Sequence, residues 1–134
     1  MEEYTSLFAA FSDKTRLRIM RVMLKGNREL CVCEVMELLE ESQYNVSRHL
    51  KLLKNTGLLQ ARKKGRWVYY RLSNFSDEFQ KLICQAILSL PSDPFLAEEK
   101  KLESGLTHRQ DGQCDETVKK KKEARSRGEV VLSN

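Results

Sequence analysis

The stretch Ser42-Gln43-Tyr44-Asn45-Val46-Ser47-Arg48-His49-Leu50-Lys51-Leu52-Leu53-Lys54-Asn55-Thr56-Gly57 decides the fold. Val46, Leu50 and Leu53 repeat at helical spacing, so they form one buried side. At about 100° per residue the opposite side carries Tyr44, Ser47, Arg48 and Lys51, with Gln43 and Asn45 at the N-terminal end. The Ser42 hydroxyl can accept from the free amides of the first turn, and Asn55-Thr56-Gly57 stops the helix. An amphipathic helix whose outer face holds cations and amides, and no acid, is suited to a polyanion.

Outward from this helix the neighbours define an architecture. Upstream, Val32, Val35, Met36 and Leu39 mark a short helix over about 32–39, and only two or three residues separate the two helices, as in a helix-turn-helix. Downstream the pattern changes to period two: Leu58-Leu59-Gln60-Ala61-Arg62-Lys63 and Trp67-Val68-Tyr69-Tyr70-Arg71-Leu72 flank Lys64-Gly65-Arg66, which predicts a hairpin with a basic tip, a wing. Nearer the start, Tyr4, Leu7, Phe8 and Phe11 make a first helical stripe. A second helix follows from an N-cap at Ser12, with Leu17, Met20, Met23 and Leu24 inward, to Lys25-Gly26-Asn27, where Gly26 takes the left-handed C-cap. Ser76 caps a last helix reaching Leu90, whose stripe of Phe79, Leu82, Ile83, Ala86, Ile87 and Leu90 is wide for so small a domain, and Pro91 ends it. The expected fold class is mostly α with a β-hairpin wing (α+β): a winged helix-turn-helix over residues 1–90, dimerising through the first and last helices. Beyond Pro91 apolar periodicity fades and Lys119 to Lys122 is a charge run, so 91–134 is expected to be a disordered charged tail.

The charge follows this division. The chain has 134 residues, with 24 Lys plus Arg against 19 Asp plus Glu and a formal charge of +5. Residues 1–41 and 73–90 are slightly acidic and 91–134 is neutral, whereas 42–72 holds Arg48, Lys51, Lys54, Arg62, Lys63, Lys64, Arg66 and Arg71 and no acid. A solvated basic face usually mixes in acids; a single-sign block interleaved with apolar residues is the footprint of a nucleic-acid binder. No apolar run is long enough to span a membrane, and Met-Glu-Glu-Tyr is unlike a basic, then apolar, signal peptide, so a cytoplasmic location without membrane association is expected.

Roles on double-stranded DNA follow from donor geometry. Arg48 can donate twice to a guanine edge, Gln43 or Asn45 likewise to adenine, and Tyr44 or Ser47 can meet a thymine methyl or a phosphate. Lys51, Lys54, Lys63, Lys64 and Arg66 are expected on phosphate, which sets register without reading sequence. His49 flanks the buried side and is read as a packed, hydrogen-bonded residue rather than a base contact.

The four cysteines, Cys31, Cys33, Cys84 and Cys114, are too few and too scattered for a disulfide framework. Cys31 and Cys33 stand at the start of the third helix in a Cys-X-Cys spacing. Side chains two apart on a regular helix diverge by about 200°, so either the first turn is irregular or a thiophile unwinds it and moves the helix that follows. Soft thiolates select soft ions such as As(III), Sb(III), Cd(II), Pb(II) or Cu(I). The same pair could also serve as a redox switch. An enzyme is not expected: there is no Cys-X-X-Cys or His-Glu-X-X-His motif, and no organic cofactor site.

Leu30-Cys31-Val32-Cys33-Glu34-Val35, the whole of Ser42 to Leu59, and Arg62-Lys63-Lys64-Gly65-Arg66-Trp67-Val68-Tyr69-Tyr70-Arg71-Leu72 resemble the ArsR/SmtB metalloregulatory repressors over about residues 4–90. The resemblance implies a homodimer that sits on operator DNA and leaves when an inducer, here As(III) or Sb(III), binds cysteine thiolates. Alternatively the inducer is Cd(II) or Pb(II), or thiol oxidation. In the arsenic-sensing pattern a third cysteine stands where this chain has Met36, and the cadmium and lead branch draws ligands from an N-terminal extension, whereas residues 1–30 hold no cysteine. The zinc pattern needs a histidine that the last helix lacks. The third ligand is then Cys114, Met36, Cys84 or water.

Overall fold

The computed structural model describes residues 1–105, together with the backbone of 109–110 and 113–114. Helices α1 (Glu2–Ala10) and α2 (Lys14–Gly26) lead into a two-residue strand β1 (Leu30–Cys31), then α3 (Val32–Leu39) and α4 (Gln43–Asn55). The hairpin β2 (Leu59–Lys64) and β3 (Trp67–Leu72) follows, then α5 (Glu78–Leu88), a 3-10 turn (Asp93–Phe95) and α6 (Leu96–Ser104). Short strands β4 (Arg109–Gln110) and β5 (Gln113–Cys114) pair antiparallel.

The winged helix-turn-helix stands as the sequence implies. Val46, Leu50 and Leu53 are buried together with Ile19, Met20, Met23, Val35 and Leu38 in one core. Ser42 Oγ accepts from Asn45 N at 3.2 Å, so the cap of α4 is the expected one. The wing register pairs Lys64 with Trp67 and Leu59 with Leu72, which leaves Gly65 in the tip turn with φ of +61°, a left-handed value that costs glycine little.

Caps elsewhere shift by one residue. Asp13 rather than Ser12 caps α2, accepting from Arg16 N at 3.0 Å, and Asp77 rather than Ser76 caps α5, accepting from Phe79 N at 2.8 Å. The left-handed position after α2 belongs to Asn27 (φ +46°), not to Gly26. Gly26 is helical, and its small size has a different use: a Cβ there would stand 3.3 Å from Leu102 of α6.

Two features extend the sequence expectation. β1 adds a third strand in the order β1-β3-β2, pairing Leu30 with Tyr70 and Cys31 with Tyr69. Regular structure also continues past Pro91, where 91–134 was expected to be disordered. Phe95 and Glu98 are buried, and α6 is strapped to α2 and α3 by Arg18–Glu98, Arg21–Glu99 and Lys101–Glu40 ion pairs. Charged residues make this segment look like solvent-facing tail in one dimension; their partners on α2 and at the end of α3 lie more than sixty positions away. The Lys119 to Lys122 run lies outside the described residues.

Candidate nucleic-acid interface and thiol site

The outer face of α4 is presented as its periodicity requires. Tyr44 is 76% exposed, Arg48, Lys51 and Lys54 are exposed, and Gln43, Asn45 and Ser47 are half-buried at their edges. The Arg48 guanidinium lies 5.9 Å from the Tyr44 ring centroid, a cation–π contact that orients both outward. Lys63, Lys64 and Arg66 are exposed around the wing tip.

Two residues of the basic block are placed elsewhere. Arg62 is held by Glu29, its Nε donating to Oε2 at 3.0 Å and its Nη2 to Oε1, and it lies 5.2 Å from the Tyr69 ring. That bidentate pair neutralises it at the base of the wing. Arg71 points toward a cleft beside α5 rather than to the tip. The basic footprint is thus narrower than the sequence block.

His49 is buried, as expected of a packing residue. Its Nδ1 faces Arg16 Nη1 at 3.2 Å, its Nε2 faces Arg48 Nη2 at 3.4 Å, and Asp13 Oδ1 lies 3.9 Å from Nε2. Burial holds its pKa below the ordinary 6.5, with Arg48 and Arg16 adding to this and Asp13 and Glu41 opposing it. A neutral ring is therefore kept against the back of Arg48. Arg16 also donates to Ala10 O at 2.9 Å and Ala9 O at 3.1 Å, so α1, α2 and α4 meet at this histidine.

The thiol pair is resolved by β1. Cys31 is extended (φ −88°, ψ 168°) and serves as N-cap of α3, while Cys33 is helical. The 200° divergence of a regular helix does not apply, because the first cysteine precedes it. Both are 1% exposed and share a small cluster with Tyr69 and Trp67. Cys31 Sγ accepts from the Glu34 backbone amide, and the Glu34 carboxylate accepts from Cys31 N at 3.0 Å, a reciprocal cap. Cys33 and Cys84 are in no disulfide, whereas Cys31 is disulfide-bonded.

No third ligand is brought to the pair among the described residues, and no group of three or more His, Cys, Asp or Glu gathers there. Met36 is buried in the main core instead. Cys84 lines the cleft beside α5, where burial pushes its thiol up to about 11. The Cys114 side chain lies outside the described residues. One cavity of about 190 Å³ joins the two surfaces: Cys33 lines it together with Gln43, Ser47 and Lys51 of α4 and Arg66 and Trp67 of the wing. The sequence could not show this, since it depends on α3, α4 and the hairpin closing around one space.

The sequence pattern described as "Bacterial regulatory protein, arsR family" matches residues 13–61. The arsenical resistance operon repressor of Escherichia coli (strain K12) is 51% identical over 67 residues, 50% of this chain and 56% of that protein. A cadmium resistance transcriptional regulatory protein CadC homolog of Staphylococcus aureus is 41% identical over 87 residues, 64% of this chain and 69% of the relative. Among solved structures, HlyU from Vibrio cholerae N16961 superposes with a TM-score of 0.55 at 31% identity, covering 64% of this chain and 88% of that one. The chain spans little more than half the length of the Escherichia coli relative. No helix among the described residues is long and apolar enough to cross a membrane.

Proposed function

The chain belongs to the arsR family of bacterial regulatory proteins, and on that premise we propose that it is a homodimeric repressor that leaves operator DNA when a thiophilic metalloid binds Cys31 and Cys33. The observation that carries this reading is the shared cavity: the Cys33 thiol and the groove-facing Gln43, Ser47 and Lys51 line the same space. A ligand on the sulfurs would press on α4 and the wing at once, because Cys33 belongs to α3, packed on α4, and Cys31 pairs with Tyr69 of β3.

On DNA, α4 enters the major groove. Arg48 reads guanine, Gln43 or Asn45 reads adenine, and Tyr44 and Ser47 lie on a methyl or phosphate. Lys51, Lys54, Lys63, Lys64 and Arg66 bind phosphate. The dimer forms through the exposed apolar side of α1 and α5. Tyr4, Phe8 and Leu82 are exposed there, and Tyr4 and Phe8 pack edgewise on Phe79 at 5.4 and 5.6 Å. Apolar rings grouped on one face favour a second copy over water.

As(III) or Sb(III) is the inducer this site fits best. Two buried sulfurs satisfy two bonds of a three-coordinate metalloid and water or hydroxide completes it, whereas Cd(II) and Pb(II) call for more thiolates than are gathered here. Cys31 acts from its reduced state. To change operator affinity 5- to 150-fold, the inducer must favour the DNA-incompetent state by roughly 1 to 3 kcal/mol.

A second reading is supported by the disulfide of Cys31: oxidation at that residue, rather than metalloid binding, is the releasing signal. One experiment separates the two. Operator DNA from the chain's own upstream region is bound by reduced protein and titrated with arsenite, antimonite, cadmium, lead, zinc and peroxide. Release by arsenite or antimonite that Cys33→Ser abolishes, with operator binding intact, supports the first reading. Release by peroxide alone supports the second, and release unchanged in Cys33→Ser removes that residue from the sensor.

A further inference from the structure

One cleft serves neither the DNA face nor the thiol pair. It measures about 640 Å³ and lies between the turn after α2, the connection from β3 to α5, and α5 itself. That volume is in the range of small-molecule sites.

Its charge is unbalanced. Arg28, Arg71 and Lys81 line it, and none of them pairs with an acid among the described residues. The acid in the same wall, Glu29, is already held by Arg62. The Cys84 thiol on the floor stays protonated at neutral pH and adds no negative charge. Nearby cations on α2 behave differently: Arg18 and Arg21 are matched by Glu98 and Glu99. Leu24, Leu72 and Phe75 add apolar lining to the same cleft, beside the neutral polar Asn27, Ser73, Asn74 and Gln85.

We propose that this cleft binds a small organic anion, a carboxylate or phosphate monoester with an apolar body. The charged end sits among Arg28, Arg71 and Lys81, and the body lies on Leu24, Leu72 and Phe75. DNA phosphate is the competing occupant, and placement argues against it. No residue of α4 lines the cleft, and Arg71 lies six residues from Gly65 at the wing tip, roughly 20 Å along the strand. The ligand would instead touch the root of the wing and α5 together. By linkage, any effect it has on operator affinity is matched by the effect of operator on its own affinity. The proposal is independent of the metalloid reading.

The test uses the full reduced chain at fixed ionic strength, with calorimetric titration of phenyl phosphate, benzoate, inorganic phosphate and benzyl alcohol. Saturable binding of phenyl phosphate or benzoate is expected, with inorganic phosphate weaker and benzyl alcohol silent. The better of the two organic probes identifies the headgroup. Arg71→Gln and Lys81→Gln should each weaken binding about tenfold, the loss of one charge-assisted hydrogen bond, while Lys64→Ala binds as wild type. Circular dichroism checks that each variant is folded, and Arg28→Gln supplies a third arm if one is not. Absence of saturable binding overturns the proposal. So does loss of binding in Lys64→Ala, which would put the anion on the DNA face. A fall in operator affinity in Arg71→Gln and Lys81→Gln as large as that in Lys64→Ala would make the cleft a DNA contact and overturn it equally.

Discussion

Replacing Arg21 with methionine should destabilise the fold more than any other single loss of charge. Arg21 is 1% exposed, and its Nη1 donates to Ile87 O at 2.7 Å, Leu88 O at 2.9 Å and Leu90 O at 3.0 Å. Its Nε donates to Glu99 Oε1 at 3.0 Å, and the guanidinium lies 5.1 Å from the Phe95 ring centroid. Ile87 and Leu88 end α5 and Leu90 lies just beyond it, where the helix dipole is negative; Ile87 O also accepts from Leu90 N at 3.2 Å. Methionine preserves the apolar stem but removes every donor. At about 1.5 to 3 kcal/mol per charged hydrogen bond a simple sum would overshoot, because the end of α5 is close to solvent and water can reach some carbonyls. Breaking a buried ion pair costs about 3 to 5 kcal/mol, and that is the expected loss. For a domain of this size it corresponds to at least about 12 °C in Tm. Urea and thermal unfolding at one fixed protein concentration measure it, since the proposed dimer makes stability depend on concentration. Adding Glu99→Gln to Arg21→Met should recover about 1 to 2 kcal/mol, because the half of the pair left without a partner disappears. A loss below about 1 kcal/mol, or a double variant no more stable than the single one, would refute this reasoning.

Arg48→Ala should relax base preference at one operator position by about 1 to 3 kcal/mol, whereas Lys64→Ala should weaken all sequences alike and reduce the salt slope by about 1 per half-site, both read by fluorescence anisotropy across a salt series. Ser42→Ala removes the cap of α4 and should cost about 1 kcal/mol in urea unfolding, with a parallel loss in operator affinity. The pKa of His49 is lower folded than unfolded, so the unfolded chain takes up the proton first. Stability conferred by the neutral ring is complete well above pH 6.5 and declines as pH falls from there to the folded value. His49→Gln should flatten that decline; Asp13, whose pKa is held below 3.8 chiefly by the Arg16 backbone amide, titrates too low to contribute above about pH 5.

The sites differ in how far they were legible. Val46, Leu50 and Leu53 with Tyr44, Arg48 and Lys51 opposite required only the helical period, and the structure places each as that period demands. Arg62 and Arg71 counted toward the basic block without a DNA role of their own, and what holds them was not legible in one dimension, because Glu29 and the α5 cleft approach them only after folding. Cys31 and Cys33 were visible as a pair, but their compatibility was not. It depends on two residues of β1 adding to β3, too short a strand to leave any periodic mark.

From sequence alone come the helices, the wing, the basic block and the paired thiols, since each expresses a local period, cap or composition. Tertiary structure decides what lies next to what. It buries Arg21 beneath α5, turns the charged stretch after Pro91 into a strap on α2 and α3, and closes one cavity around Cys33, Gln43, Ser47, Lys51 and Arg66. Such contacts join residues many positions apart, where the attraction of a charge or the burial of a ring depends on distance in space and leaves no signature along the chain.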